Sequence, residues 1–455
     1  MRKVGKILII GGNAAGCAAA AKAKRVSPDS EVILFERSGV ISTGTCELPY
    51  LLSNEVTDSK SLVFYDEGTF ERSKGVKVKA RHEVVGIDRK KKSISVKNLQ
   101  TLSTETFVYD SLIISSGSVS RKDGILADST FENLFTLKTV GDADTILTYF
   151  SQKRISQAVI IGAGYIAVEI ADALHKRGIS STLIDREQRI FPFAGKEISS
   201  LVTALLTDKS VGCLNSVSDF KLIRDNNRIT GVRVGSRTID ADVVFNCTGF
   251  IPNVALASTA KLELGRNGGI KVSSKMHTSD PSIFAAGDCV EYKELITGQN
   301  IFLPQATLAH LSGHTAGANA AGGNEFMQPA LRNISVRVID KYFIHVGLTE
   351  TELAPIAYRM VPISVVHSNL VKVMPGSASN FSKIVCDKFS GKIVSASFLG
   401  GTEVSGFADL VASFIQLGQP ASALAKIAFN YTPSLSNFVH PLSLLGRKAE
   451  KLFSR

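Results

Sequence analysis

The chain has 455 residues, of which 44% are hydrophobic and 20% charged, and its formal net charge is +11. This length exceeds one ordinary domain, and the composition excludes a disordered polypeptide and supports a sizeable buried core. A basic balance suits nucleic acid, membrane surfaces or polyanionic small molecules, so charge alone does not choose among them. The densest basic run, Asp88 to Ser93, lies between two strand-like stretches and predicts a hairpin turn, so we expect no nucleic-acid partner.

Cysteine usage and the N-terminus indicate a compartment. The six cysteines show no CxxC and no paired spacing, which favours neither a metal site nor a disulfide scaffold and indicates a reducing cytosol. The apolar run Ile7 to Ile10 is too short for a secretory signal, and glycines interrupt the segment. No stretch reaches the roughly 18 apolar residues that a membrane span requires. We therefore expect a cytoplasmic protein with no metal and no membrane partner.

The first predicted elements are a strand, a glycine turn, a helix and a second strand. Lys6 to Ile10 forms a buried strand, Ala14 to Ala23 an alanine-rich helix that packs closely on the sheet, and Val32 to Phe35 the next strand. Glu36 closes that strand, twenty residues past Gly16. This order is typical of a dinucleotide fingerprint, in which helix N-terminal amides receive the pyrophosphate and the acid accepts hydrogen bonds from ribose hydroxyls.

The glycine turn departs from the usual fingerprint at its middle position. Asn13 stands where a glycine is usual, and we expect it there because Asn tolerates unusual backbone angles better than most residues. The residues predicted to bind the first dinucleotide are Gly11, Gly12, Ala14, Ala15, Gly16, Glu36 and Arg37.

A lone cysteine, Cys46, lies in the next segment, ISTGTCELPYLLSN, between small polar residues and an apolar run. The run predicts a helix that begins at the cysteine, and the N-terminal amides of such a helix stabilise a thiolate. We therefore predict a lowered thiol pKa for Cys46, opposed by the negative charge of Glu47. The polar neighbours favour incomplete burial, whereas the other five cysteines occupy apolar or structural contexts that indicate inert side chains.

The fingerprint returns between residues 158 and 187. Gly162 and Gly164 occupy its first two positions, Ala167 the third, and Asp185 ends the second strand with Arg186 beside it. Two fingerprints predict two dinucleotides. Asp185 favours the unphosphorylated ribose of NADH, whereas Arg186 could accommodate the 2′-phosphate of NADPH. Because both are present, we expect only a slight preference for NADH. The residues predicted to bind this second dinucleotide are Gly162, Gly164, Tyr165, Ile166, Glu169 and Asp185.

Three further segments predict strands that end in small residues. They are Tyr109 to Arg121, Asp240 to Leu256 and Ser282 to Glu291. The acid of the third, Asp288, could accept a hydrogen bond from a flavin ribityl hydroxyl. Further cofactor contacts are predicted at Ser116, Gly117, Gly249, Gly287 and Asp288.

Taken in order, these motifs resemble the FAD-dependent pyridine nucleotide–disulfide oxidoreductases over nearly the whole chain. The segments that carry the resemblance are GGNAAG, VILFER, LIISSGS, GAGYIAVEIADAL, TGFIPN and FAAGDC. The resemblance implies an α/β fold with two Rossmann-like dinucleotide-binding domains, for FAD and for NAD(P)H, and a C-terminal α+β dimerisation domain. It implies FAD binding by residues 1–115 and 255–325, NAD(P)H binding by 116–254, and dimerisation by 330–455.

The C-terminal domain also has support in the local pattern. A hairpin is predicted over Phe389 to Lys392, and a helix from Phe407 to Leu417. This alternation suits a small α+β domain, which the resemblance places at the interface of a homodimer.

The cysteine spacing identifies a branch of that family. Dithiol members carry two cysteines spaced C-x4-C, but the position five residues after Cys46 is Leu51. Ser42, Cys46 and the following LPY are similar to the single-cysteine branch, which includes coenzyme A–disulfide reductases, persulfide and polysulfide reductases, and NADH oxidases and peroxidases. The oxidases and peroxidases carry a histidine in the first glycine turn, where this chain has Ala14, so the resemblance favours a reductase.

The resemblance implies that electrons pass from NADH or NADPH through FAD to a disulfide held on Cys46. The implied substrate is a low-molecular-weight disulfide or persulfide, similar to coenzyme A disulfide. Glu47 stands where the reductases usually have Gly or Ala, which adds a negative charge beside the thiol. An NADH oxidase or peroxidase on the same scaffold is an alternative, as is a flavoprotein electron-transfer protein without thiol chemistry.

Further site residues follow from the same resemblance. Tyr431 matches a catalytic tyrosine that points at the substrate from across the dimer, whereas Val373 and Met374 stand where a second such tyrosine is usual. His440 precedes a proline as the catalytic histidine of dithiol members does, but its alignment leads us to expect no catalytic role. Basic residues at the end of the first helix could meet substrate phosphates. The predicted substrate-binding residues are Lys22, Arg25, Ser42 and Thr45.

Overall fold

The computed structural model describes residues 5–122, 124–127 and 131–453, and its elements are numbered here in chain order. Two five-stranded sheets are parallel and a third is antiparallel. The first contains β1 (Lys6–Ile10), β2 (Glu31–Glu36), β5 (Lys77–Ala80), β9 (Ser111–Ile114) and β20 (Ile283–Ala285). The second contains β11 (Leu134–Phe135), β12 (Gln157–Ile161), β13 (Ser180–Ile184), β14 (Gly212–Leu214) and β18 (Val243–Asn246). The third contains β23 (Asn333–Val338), β24 (Lys341–Gly347), β25 (Met360–Ser368), β26 (Ser379–Asp387) and β27 (Ile393–Gly400).

Smaller sheets complete the described strands. The three-stranded ones are β6 (His82–Asp88), β7 (Ser93–Asn98) and β8 (Thr104–Val108), and β15 (Lys221–Asp225), β16 (Arg228–Val234) and β17 (Arg237–Asp240). The two-stranded ones pair β3 (Ile41–Thr43) with β4 (Val63–Tyr65), β10 (Ser118–Ser120) with β19 (Phe250–Pro252), and β21 (Tyr292–Lys293) with β22 (Asn300–Ile301). The turn predicted over residues 88–93 joins β6 to β7 and is confirmed.

The described α-helices are distributed over all three sheets. They are α1 (Ala14–Val26), α2 (Leu48–Leu52), α3 (Glu67–Lys74), α4 (Val140–Gln152), α5 (Tyr165–Lys176), α6 (Lys196–Asp208), α7 (Ala255–Thr259), α8 (Ala306–Ala320), α9 (Glu350–Leu353), α10 (Val404–Gln416) and α11 (Pro441–Phe453). Short 3₁₀ turns cover Ser59–Leu62, Gly124–Ala127, Pro192–Ala194, Ala354–Arg359 and Ala421–Lys426. Among the helices of the described ranges, none combines the length and apolar character needed to cross a bilayer.

The two parallel sheets share one topology over four of their five strands, and differ in the edge strand, which comes last in the chain in the first sheet (β20) and first in the second (β11). Their strand orders are β20-β9-β1-β2-β5 and β11-β18-β12-β13-β14, and in each the central strand leads through one helix, α1 or α5, to a parallel neighbour. A three-stranded antiparallel sheet precedes β9 in one unit and β18 in the other. The apolar runs of β1 and β12 lack polar alternation, as expected for strands covered on both faces. The predicted α/β fold with two Rossmann-like units is confirmed.

The first glycine of each fingerprint occupies the tight turn after the central strand. Gly11 and Gly162 have φ of +99° and +117°, a region in which other residues are strained. An added Cβ would lie 2.2 Å from the Ser115 carbonyl oxygen at Gly11 and 2.3 Å from the Cys247 carbonyl oxygen at Gly162. Asn13, by contrast, has φ of −104° and an extended backbone, so our expectation that it adopts unusual angles is wrong.

Helix α1 contacts α8 as well as its own sheet. An added Cβ at Gly313 or Gly317 of α8 would lie 2.2 Å from the carbonyl oxygens of Ala15 and Ala19. Small residues on both helices therefore allow the two backbones to touch. Because β20 precedes α8 and pairs with β9, the chain returns to the first sheet after completing the second.

The third sheet, of order β23-β24-β27-β26-β25, lies in the C-terminal part of the chain. The predicted hairpin over residues 389–392 joins β26 to β27, and the predicted helix over 407–417 is α10, so both are confirmed. The domain limits 1–115 with 255–325, 116–254 and 330–455 stay predictions. Their outermost residues, 1–4 and 454–455, lie outside the described residues.

Candidate active site

The segment that carries Cys46 is held against the first glycine turn. Ser42, in β3, has φ of +51°, and its N–H donates to the Gly12 carbonyl oxygen at 2.8 Å. The Thr43 N–H donates to the Asn13 side chain at 3.1 Å. A left-handed backbone at a non-glycine residue persists only where its surroundings enforce it, and such strain concentrates at functional sites. Asn13 therefore tethers the cysteine segment, a role that a glycine could not fill.

Cys46 itself lies in a turn, two residues before the five-residue helix α2, with Glu47 at the N-cap position. Its side chain is exposed. The surrounding protein nevertheless desolvates the sulfur and raises its pKa, and Glu47, Glu169 and Asp288 raise the pKa further. The lowered pKa predicted from the sequence is wrong, because desolvation of the sulfur raises the pKa most, three carboxyl groups raise it further, and the helix begins only beyond the thiol.

A cation opposes these carboxyl groups. The Lys138 ammonium lies 4.2 Å from the centre of the Phe250 ring, and its charge lowers the pKa of Cys46. Burial lowers the pKa of Lys138, whereas Asp288, Asp142 and Cys46 raise it. Sequence reasoning missed Lys138, because a single lysine between a strand and a helix carries no spacing signal.

Substituting the two charges beside Cys46 should change its reactivity in opposite directions. Glu47→Gln removes a charge that raises the thiol pKa, so more thiolate forms at a given pH and alkylation accelerates. Lys138→Met removes the cation that lowers the pKa, so alkylation slows. The measurement is the rate of iodoacetamide addition to Cys46, followed by mass spectrometry over a pH series. Equal rates in both variants and the native protein would contradict this electrostatic account.

The residues predicted for the first dinucleotide form a cradle at the carboxyl end of the first sheet. Glu36 Oε2 accepts the Gly12 N–H at 2.7 Å and Oε1 accepts the Ser38 N–H at 2.8 Å, which fixes the carboxylate beside the turn. Asp288 accepts a hydrogen bond from Ser118 at 3.1 Å, and burial raises the pKa of its carboxyl. The carboxylates of Asp288 and Glu36 fit the hydroxyl groups of FAD, and the N-terminus of α1 fits its pyrophosphate.

The other residues predicted for this dinucleotide surround the same cradle. Ala14, Ala15 and Gly16 form the first turn of α1. Gly287 has φ of +82°, and an added Cβ there would lie 2.8 Å from the Ala15 Cβ, so the turn after β20 touches α1. Arg37 directly follows β2 and is exposed.

The second fingerprint repeats this arrangement. Asp185 Oδ2 accepts the Ala163 N–H at 2.5 Å and Oδ1 accepts the Glu187 N–H at 2.8 Å. Gly164 is the N-cap of α5, and an added Cβ there would meet no described atom within 4 Å. The open helix N-terminus fits a pyrophosphate. Arg186, beside Asp185, is exposed, and its Nε lies 3.8 Å from the Glu187 carboxylate.

Residues from both nucleotide units meet around Cys46. On α5, Tyr165 begins the helix with Ile166 beside it, and Glu169 follows one turn later. Burial raises the pKa of Tyr165 to about 12, and Asp288, Glu169 and Cys46 contribute to this rise. Burial also raises the pKa of Glu169 to about 7. The exposed Cys46 thiol therefore lies between Asp288 of the first nucleotide unit and helix α5 of the second.

Ser116, Gly117 and Gly249 lie where the chain crosses between the two units. The crossing is the antiparallel pair β10–β19, and both glycines have positive φ, +70° and +109°. The Asn253 N–H donates to the Gly117 carbonyl and the Arg121 N–H to the Gly249 carbonyl, each at 2.9 Å. Ser116 Oγ donates to the Asn253 carbonyl at 2.7 Å. These bonds hold the two connecting segments against each other where the chain passes between the nucleotide units.

An open groove of about 520 Å³ lies next to the first fingerprint. Its lining includes Lys24, Arg25, Ser42, Lys74, His310 and His314. Arg25 Nη2 lies 3.0 Å from His314 Nε2. Of the three basic residues near the end of α1, Lys24 and Arg25 line the groove, whereas Lys22 is not among its lining residues and its amine pairs with Glu325 at 2.6 Å. Thr45 precedes Cys46 in the neighbouring turn.

The two remaining candidates lie in the segment before α11. Tyr431 is 45% exposed and packs edge-on against Phe438, with ring centres 5.3 Å apart. His440 stacks on Phe429 with ring centres 3.8 Å apart, and burial lowers its pKa to about 4. A packed, neutral imidazole fits the expectation that His440 takes no part in catalysis.

Two Rossmann-like units joined by a two-stranded crossing, with an exposed thiol between them, define a dinucleotide-dependent oxidoreductase. Residues 5–312 match the family described as pyridine nucleotide-disulphide oxidoreductase. The chain belongs to this family. It is an enzyme whose cofactors are FAD and NAD(P)H, as the sequence predicted.

Particular relatives extend over almost the whole chain. The coenzyme A disulfide reductase of Staphylococcus aureus (strain bovine RF122 / ET3-1) is 26% identical and covers 98% of this chain and 100% of its own length. An NADH oxidase of Methanocaldococcus jannaschii is 26% identical and covers 99% of both. The structure of reduced CoADR-RHD from Bacillus anthracis has a TM-score of 0.95 at 28% identity, covering 100% of this chain and 81% of that one. An NAD-dependent persulfide reductase from A. fulgidus has a TM-score of 0.92 at 28% identity, covering 98% and 83%.

Proposed function

We propose that this enzyme uses NAD(P)H to reduce a low-molecular-weight disulfide or persulfide, with Cys46 as its single redox-active cysteine. The observation that carries the proposal is the exposed Cys46 thiol between Asp288 of one nucleotide unit and Glu169 of the other. An exposed thiol can meet an external S–S bond, whereas the other cysteines are buried or half-buried. The likeness to a coenzyme A disulfide reductase and a persulfide reductase supports this choice.

The reaction balances with one cysteine. The Cys46 thiolate attacks one sulfur of RSSR, forms a mixed disulfide and releases one thiol after protonation. Two electrons from NAD(P)H then cleave the mixed disulfide, so that NAD(P)H, a proton and RSSR yield NAD(P)⁺ and two RSH. With a persulfide, RSSH, the products are RSH and H₂S. FAD, when bound, supplies the two-electron chemistry that links nicotinamide to sulfur.

The basic groove supports a substrate that carries phosphate. Three cationic side chains, Lys24, Arg25 and Lys74, line it with two histidines. Ser42 belongs both to the groove lining and to β3, the strand that precedes Cys46 in the chain. We propose that the anionic part of the thiol substrate lies in this groove.

Arg25→Gln should raise the KM for coenzyme A disulfide about tenfold while leaving the KM for NADH unchanged. Losing one charge-assisted contact costs about 1.5 kcal/mol, which corresponds to a factor of about ten. Steady-state kinetics with coenzyme A disulfide, cystine and a persulfide measures the effect. Arg224→Gln, in β15 of the second unit, is the matched charge control. An unchanged KM for coenzyme A disulfide would contradict the groove, and absence of turnover with every disulfide and persulfide would contradict the reductase.

An NADH oxidase is the second candidate, because the Methanocaldococcus jannaschii relative carries that activity in its name. Ala14, at the start of α1, stands where such oxidases have a histidine, which favours the reductase. Rapid NADH-dependent oxygen consumption without any disulfide would reverse this preference.

We also propose a cytoplasmic homodimer. The loops before α11 and after β25 expose apolar side chains, with Val373 85%, Leu435 68% and Phe438 78% exposed, and an exposed apolar patch of this kind marks an interface. Tyr431 belongs to the same patch and would reach the substrate of a second copy. All six cysteines are free thiols, which fits a reducing cytosol. Sedimentation showing a monomer at assay concentrations would contradict the dimer.

A further inference from the structure

A cation from the C-terminal sheet connects three separate parts of the chain. Arg337, on β23, donates from its two terminal nitrogens to the Glu55 carboxylate at 3.0 and 2.6 Å, and from Nε to Asp172 of α5 at 2.8 Å. Its guanidinium also lies 4.3 Å from the centre of the Tyr50 ring in α2. Because its three nitrogens are paired with carboxylates and the Tyr50 ring covers one of its faces, the guanidinium is held in a single orientation.

This arrangement ties the segment after Cys46 to the nucleotide helix. Glu55 follows α2 by three residues, and Ser53 Oγ donates to it at 2.7 Å. Lys176 of α5 lies 3.0 Å from Glu55 and 3.6 Å from Asp172. The Arg177 side chain donates to the carbonyl oxygen of the last residue of α2. The position of α2, and of the thiol before it, therefore depends on a charge network completed by Arg337.

Glu169 lies one turn before Asp172 on α5 and faces the same cation. Burial raises the pKa of Glu169 to about 7, the main-chain N–H and guanidinium of Arg337 lower it, and Asp172 raises it. The charge of Glu169 in turn raises the pKa of Cys46 and Tyr50 in the α2 segment and of Tyr165 on α5 itself. The carboxyl of Glu169, whose pKa burial raises to about 7, thus lies on the nucleotide helix α5 and acts on the Cys46 thiol.

We propose that Arg337 is a positioning residue of the nucleotide site, which holds α2 against α5 and sets the charge that Glu169 presents to bound NAD⁺. Arg337 lies outside both fingerprints, so the C-terminal sheet takes part in a site whose other residues lie far earlier in the chain. The proposal requires FAD and NAD(P)H, the cofactors of the family, and does not depend on which disulfide is reduced.

The test is calorimetric titration of the FAD-loaded, oxidised enzyme with NAD⁺, in buffers of different ionisation enthalpy over a pH series. This measures the protons exchanged on binding. We expect an exchange with a midpoint near pH 7 that Glu169→Gln abolishes. Arg337→Gln removes the cation that favours the carboxylate, so the midpoint shifts to higher pH, by about one unit. Asp172→Asn removes a negative charge that disfavours the carboxylate, so the midpoint shifts to lower pH.

Two further variants separate this role from a purely structural one. Arg337→Lys keeps the charge but loses the paired fork, so the midpoint should stay near the native value while the melting temperature falls. Arg332→Gln is the matched control, because Arg332 forms a similar two-point pair with Glu352, at 2.7 and 3.1 Å. It should lower the melting temperature and leave the midpoint unchanged.

The proposal is overturned if the native enzyme exchanges no proton near neutral pH. It is also overturned if Arg337→Gln and Asp172→Asn destabilise the fold without moving the midpoint. Should Arg337→Gln fail to fold, the Asp172→Asn shift decides alone, because the amide can still accept the Arg337 hydrogen bond.

Discussion

Cys46→Ser is expected to lower kcat for NAD(P)H-driven disulfide reduction by a factor of about 10³ or more, with FAD content and fold retained. A serine hydroxyl cannot form the mixed disulfide, so the exchange step is lost rather than slowed. The cradle is built by Glu36, Asp288 and the α1 turn, so the exposed side chain at position 46 can change without displacing the flavin. Coupled absorbance assays with coenzyme A disulfide and flavin-to-protein ratios measure both expectations.

The control for this experiment is Cys213→Ser. Cys213 lies in β14 of the second unit, is half-buried, and burial raises its pKa to about 11. We expect this variant to keep native kcat and KM. Disulfide turnover retained by Cys46→Ser would remove Cys46 from the reaction and, with it, the proposed function.

Gly16→Ala is expected to yield a protein that is isolated largely without FAD and melts at a lower temperature. An added Cβ would lie 1.8 Å from the Gly11 carbonyl oxygen and 2.8 Å from Ser115 Oγ. Neither the tight turn nor α1, which α8 holds in place, can yield by that much. The cost should reach about 3 kcal/mol, the upper end for overpacked interiors. The flavin-to-protein absorbance ratio and a thermal melt test this expectation.

Gly406→Ala provides the matched comparison. Gly406 lies within α10, and an added Cβ there would meet no described atom within 4 Å. Alanine should therefore stabilise this helix by about 0.5–1 kcal/mol and leave FAD binding unchanged. Full FAD occupancy in Gly16→Ala would show that the turn can open, contrary to the geometry described above.

The second fingerprint shows why position 16 cannot be judged from the motif alone. Ala167 occupies the third position there and is fully buried, so that turn accepts a Cβ. The turn of the first fingerprint does not accept a Cβ at position 16, because the Gly11 carbonyl oxygen lies against α1. The sequence marked both positions as small, but only the distance between helix and turn distinguishes glycine from alanine.

The local features of the fold could be predicted because they depend on neighbouring residues. Apolar runs gave the central strands, the glycines marked the turns at Gly11 and Gly162, and the terminal acids Glu36 and Asp185 lie beside those turns. The same local reasoning misjudged Asn13, whose side chain tethers β3, since a bond between residues thirty positions apart leaves no trace in spacing.

By itself, the sequence determined that the chain has two dinucleotide units, a mixed C-terminal unit and one thiol in a polar setting. Only the tertiary structure decided the charge around that thiol, because Lys138, Glu169 and Asp288 reach it from three different elements. It also decided that Arg337 connects α2 to α5. The physical reason is that backbone turns follow from adjacent residues, whereas Coulomb interactions depend on distances through space, which folding sets.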